Sequence, residues 1–231
     1  MTQHIESIPG LAQVHAFVER ARLHPVESTG AAPVTLTANV YNVDGSDLDP
    51  KHVPGNKGKT WKELLTRNNI PDTSPCYVTS APAPPDKTHP QFNVGGHVTT
   101  DPNGGVINDS CYLMPMCSWH NNKARDRMKF THSQSKMLKL TGYMQGELAA
   151  TFQLRLPSPH PYALLYYAED LQGWTYRDLT EDQLTTWEQG ATREPRPEAY
   201  EIVERVPGPR VTHHVRAVQL PGLRELAATG D

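Results

Sequence analysis

Residues 95–122 read GGHVTTDPNGGVINDSCYLMPMCSWHNN and gather imidazoles at His97 and His120, thiols at Cys111 and Cys117, and carboxamides at Asn121 and Asn122. Thiolate and imidazole are the donors zinc prefers, and four of them close a tetrahedral site. Cys117 and His120 stand at a Cys-x-x-His spacing that chelates from a knuckle into a helix. Cys76, Cys111 and His97 are the candidates for the remaining corners. The same side chains admit haem as a second reading. Cys117, behind Met114-Pro115-Met116, or one of His97, His120 and His132 would then be the axial ligand, with Tyr112, Leu113 and Trp119 as a dry wall. No Cys-x-x-Cys-His attachment sequence is present, so such a haem would be non-covalent.

Local structure must bring these groups together. Residues 92–100 and 111–117 read as two short strands joined at Asp101-Pro-Asn-Gly-Gly, where Gly104 and Gly105 supply the positive φ a hairpin needs. From Ser118 the chain is expected to turn helical. A hairpin leading into a helix sets His97 opposite residues 120–122 across a small pocket.

At this point GGHV followed by YLMPMCSWHN resembles the ββα-metal core of HNH-type nucleases, a treble-clef relative, over roughly a tenth of the chain. The resemblance implies a divalent-metal-dependent hydrolase of phosphodiesters, with His97 as general base. It also implies Asn121, or else His120, as ligand of a divalent ion (zinc or magnesium). A basic side chain such as Arg125 would steady the developing charge.

Elsewhere, apolar spacing predicts a helix over 10–23, a strand over 35–41 and a loop over 44–59. Thr60 is expected to cap a short helix carrying Trp61, Leu64 and Leu65. Residues 71–90 form a Pro-studded connector. Strands are expected over 148–156, 162–167 and 211–220, and Thr180-Glu-Asp-Gln reads as a capping box opening a helix. The fold class expected is α+β, loop-rich, with short strands around a central ββα-metal-like hairpin and helix. One domain over 1–231 is expected: an N-terminal helix, strand and connector (1–90), the metal module (91–140), and C-terminal strands and helix (141–231).

The 231 residues include 21 Pro, 16 Gly and three Cys, with a net charge of -3. Three thiols do not make a disulfide scaffold, and no run of about 18 apolar residues exists to span a membrane. The start, MTQHIESIPG, lacks the features of a secretory signal, so the chain is read as cytoplasmic. The overall acidity hides a basic run, Lys123, Arg125, Arg127 and Lys129, placed to meet a nucleic acid or other phosphodiester beside the site. Three functions compete on this reading. The first is the metal-dependent hydrolase, and the second a haem or transition-metal enzyme acting on a small molecule. The third is a non-catalytic binding protein stapled by its metal.

Overall fold

In the computed structural model, residues 8–46, 53, 60–80, 83–87, 89, 91–133, 135–192 and 195–222 are described. The chain begins with α1 (Leu11–Leu23), whose Val14, Phe17, Val18 and Ala21 repeat at helical spacing and are buried. Then come β1 (Val26–Glu27), β2 (Gly30–Thr35) and β3 (Val40–Asn42). The loop expected over 44–59 lies largely outside the described residues. Thr60 opens α2 (Trp61–Arg67) through a capping box: its hydroxyl accepts from Glu63 N–H at 3.0 Å while the Glu63 carboxylate accepts from Thr60 N–H at 2.8 Å. The expected hairpin forms as β4 (Val94–Thr99) and β5 (Ser110–Met116), with Gly104 at φ 75 in its connection. There follow β6 (Lys129–Phe130), β7 (Lys136–Thr141), α3 (Ala149–Leu154), β8 (Tyr162–Ala168) and β9 (Gly173–Leu179). The chain continues through α4 (Glu181–Glu188), β10 (Tyr200–Val206) and β11 (Thr212–Gln219). Thr180 forms the second capping box, with Gln183.

The strands make two antiparallel sheets, ordered β1-β11-β10-β8-β9 and β2-β7-β5-β4-β3-β6. The expected α+β class built on a ββα unit is therefore corrected: the chain is mostly β, with four short helices among the described residues. The hairpin is present but its helix is not. After β5 the chain makes a tight turn and then one 3-10 turn, Lys123–Arg125. Asn122 Oδ1 accepts from Ala124 N–H at 3.0 Å, Asp126 leaves at ψ 139, and Arg127 is left-handed at φ 61, so no second helical turn can follow. Residues 148–156, expected as a strand, contain α3 instead. All six residues of α3 are buried, so no polar face was available to show a helical period.

Side-chain alternation along the strands separates three apolar clusters. Leu113 and Leu165 face a main core that joins both sheets with α1, α2 and α3. Leu164 faces a cluster under α4. Val98, Met114 and Met116 face outward from the six-stranded sheet into a third cluster, which includes Cys76 and Cys117. In the main core Arg155, fully buried, pairs with buried Glu147 and also donates to Thr151 O and Gly142 O. No described helix is long and apolar enough to cross a membrane.

Candidate metal centre and adjoining cleft

Four ligand side chains meet in the outward cluster: Cys76, His89, Cys117 and His120, whose ligand atoms all lie within 4.8 Å of one another. Cys117 follows the end of β5, and the backbone turn that closes with Asn121 N–H on Cys117 O at 3.0 Å brings His120 back onto it. Cys76 comes from the connector, held beside β5 by Tyr77 N–H on Pro115 O at 2.9 Å. His120 Nδ1 stands 3.1 Å from Cys117 Sγ and 3.4 Å from Cys76 Sγ, and His89 Nδ1 stands 3.9 Å from Cys117 Sγ. Tetrahedral zinc with ordinary Zn–S and Zn–N bonds sets its ligand atoms about 3.3–3.8 Å apart, so small adjustments close the shell. Trp119 and Phe130 pack edge-on against the His120 ring at 4.8 and 5.5 Å. Burial in this apolar shell pushes the Cys76 thiol up to about 11, with backbone N–H groups opposing. A bound dication would displace that proton. The group can hold a metal such as zinc.

Sequence reasoning placed Cys76, Cys117 and His120 among the candidate ligands but did not include His89, which the structure adds to the group. That residue lies in the connector, read as a surface spacer. The one available signal was a second thiol–imidazole pair, Cys76 and His89, upstream of Cys117 and His120.

The other candidates lie elsewhere, for reasons of strand geometry. Val98 faces the metal cluster, so His97, one residue earlier on β4, points to the opposite face. There its ring meets Trp61 at 4.6 Å and Tyr143 at 4.7 Å. It is 4% exposed, and burial lowers its pKa to about 3, leaving a neutral imidazole. Cys111, like Leu113, faces the main core. Cys111→Ala is accordingly expected to keep the metal content of the parent protein, measured by elemental analysis. His132 Nε2 lies 3.0 Å from Ala38 O. The Arg125 guanidinium stacks on Trp119 at 3.4 Å, and Arg127 is paired with Asp44.

Beside the metal group lies a cleft of about 610 Å³ that holds both His97 and Asn121. It follows from the end of β3. Asn42 sits opposite Val98, Val43 N–H still reaches His97 O at 3.1 Å, and beyond that β4 carries no paired strand on that edge among the described residues. α2 supplies Trp61 and Lys62 to one wall, and the turn after β5 supplies Ser118, Asn121, Asn122 and Lys123 to the other. Asn42 Nδ2 donates to His120 O at 3.0 Å and to Arg125 O at 3.1 Å, which fixes its amide orientation. Its Oδ1, together with Asn93 Oδ1 and Trp61 Nε1, is buried with no partner among the described residues. Orphaned buried acceptors and donors lining one cleft mark a place where a polar ligand gains hydrogen bonds.

A larger cleft of about 980 Å³ is lined by Arg20, Arg155, Arg205 and Arg210, whose guanidinium groups are paired with Asp109, Glu147, Asp178 and Glu27. Its guanidinium groups are already paired, whereas the unsatisfied side-chain groups of Asn42, Asn93 and Trp61 line the smaller cleft, which is therefore the candidate site. No protein-family model, no curated protein and no solved structure matches this chain, and the site is read from its own geometry.

Proposed function

We propose that Cys76, His89, Cys117 and His120 hold zinc as a closed structural centre, and that the chain is a hydrolase of phosphodiesters working in the adjoining cleft. Four protein donors leave a tetrahedral zinc no open position, which separates binding this metal from doing the chemistry. The observation that carries the hydrolytic reading is that His97 and Asn121 border one cleft, His97 from the main-core face of β4 and Asn121 from the turn packed beside Gly96. The likeness to HNH-type nucleases rests here on that hairpin and its turn alone.

In this reading the His97 imidazole takes the proton of an attacking water. Buried without substrate, it is a weak base, and a phosphate anion beside it raises its proton affinity towards the range a general base needs. Lys62 and Lys123, on facing walls, neutralise the phosphate. A magnesium ion would take oxygen ligands, and Asn42, Asn93 and Asp126 offer them in the cleft.

The test is cleavage of bis(4-nitrophenyl) phosphate with added magnesium. His97→Gln, close in volume, is expected to lose roughly a hundredfold or more in rate while keeping its zinc and its melting temperature. Equal rates in parent and variant overturn the role of His97. If the parent protein has no activity on phosphodiesters, the closed centre favours the rival reading of a metal-stapled binding protein.

A further inference from the structure

The turn over 117–122 has two faces. Cys117 and His120 reach into the metal group, while Ser118, Asn121 and Asn122 line the cleft. One stretch of backbone therefore serves both sites. Asn42 ties them a second time, since its Nδ2 bridges His120 O, on a ligand residue, to Arg125 O, beyond the cleft wall.

The cleft face is closely fitted to β4. A Cβ added at Gly96 would clash with Met116 Sδ and stand 3.0 Å from Asn121 Oδ1, so glycine lets the Met116 side chain and, beside it, the Asn121 carboxamide pack against β4. Keeping it there means holding six residues of non-repetitive backbone. Without a metal, the turn retains the Asn121–Cys117 and Arg125–Asn122 backbone bonds, the two Asn42 bonds, the His120 Nδ1 contacts with the two thiols and the packing of the His120 ring on Trp119 and Phe130, all weak non-covalent ties set against the conformational entropy of the turn. With a metal, residues 117 and 120 are anchored to Cys76 and His89, which arrive from a different part of the chain.

We infer that the metal centre is a switch for the cleft: zinc at Cys76, His89, Cys117 and His120 forms the cleft wall, loss of zinc releases it, and Asn42 is the positioning residue that passes the state of His120 to the cleft. The inference rests on the cleft being the working site named above and adds its regulation. By linkage, a ligand in the cleft tightens zinc by the same factor as zinc tightens the ligand.

The test is hydrogen–deuterium exchange of the full chain, read peptide by peptide, with one equivalent of zinc and after chelation. It uses no substrate, so it stands apart from whether phosphodiesters are cleaved. Zinc removal is expected to speed exchange over 118–126 by roughly tenfold or more, with 162–179 in the other sheet unchanged. Unchanged protection over 118–126 overturns the inference. So does a loss of protection over 162–179 as well, which would make the centre a staple of the whole fold. Zinc-loaded Asn42→Ala is expected to keep one zinc and still exchange fast over 121–126, whereas parent-like protection removes Asn42 from the switch. If that variant does not fold, Asn42→Asp, which keeps the shape and loses both donors, replaces it with the same two readings.

Discussion

Chelation of the metal is expected to lower the melting temperature of the zinc-loaded protein by roughly 5–16 °C without unfolding it at 25 °C. Metal present at 100–1,000 times its dissociation constant adds about 2.7–4.1 kcal/mol to the folded state. In a chain of this size each kcal/mol is worth roughly 2–4 °C. The chain stays folded because none of the four ligands belongs to the main core that joins the two sheets. Cys117→Ala is expected to reproduce the fall and to lose the metal by elemental analysis, since it removes the ligand nearest His120. Zinc gives a featureless visible spectrum. A Soret band in the purified protein would replace zinc with haem, and an unchanged melting temperature would remove the centre.

Glu201→Gln is expected to make the protein more stable above about pH 4.5, with a gain of about 3 kcal/mol at pH 7 and about 4 kcal/mol by pH 8. Glu201 lies on β10, opposite Leu165 and Val218, and is fully buried, with neither carboxylate oxygen hydrogen-bonded among the described residues. Burial raises its pKa from 4.5 to about 8, against an opposing pull from Arg22. A raised folded value means folding takes up a proton. The cost is absent below about pH 4.5, grows as pH rises, and is complete above about pH 8.

His97 and His213 work in the other direction. Burial, the leading cause for both, lowers them from 6.5 to about 3 and about 4, so their contribution is present above pH 6.5 and lost as pH falls towards those values. Two histidines rising against one glutamate falling place the stability maximum near pH 6.5. Removing the carboxylate turns the decline above that pH into a plateau. Chemical denaturation of the zinc-loaded pair from pH 6 to pH 9 measures it, and parallel curves would show that Glu201 is ionised in the folded chain.

Local signals in the sequence led correctly to several elements. The 3.6-residue stripe of α1, the capping residues Thr60 and Thr180, and the glycine turn of the hairpin were each legible because their causes are short-range. The fold class was not legible, because β2, β6 and β7 are defined by partners far along the chain. Lys136–Thr141, for example, lies in a basic stretch and becomes a strand by pairing with β2 and β5. The metal group was three-quarters legible. Its Cys-x-x-His pair is local, whereas His89 reaches it only because the connector folds against β5. His97 shows the opposite failure: its neighbours in sequence suggested one site, and the two-residue period of β4 turned it away from the thiols.

The participation of β2 and β3 in the same sheet as β4, β5 and β7 bears on how the protein can be dissected. A minimal fragment cut at 91–140 would contain the whole motif that catches the eye, yet it would be left with two of the four metal donors. It would also lack Asn42 and Trp61, and β4 and β7 would become raw outer edges, liable to pair with one another's copies. Truncation studies would therefore start no later than β2, and a soluble, zinc-replete short piece would come only from cuts that respect the sheet.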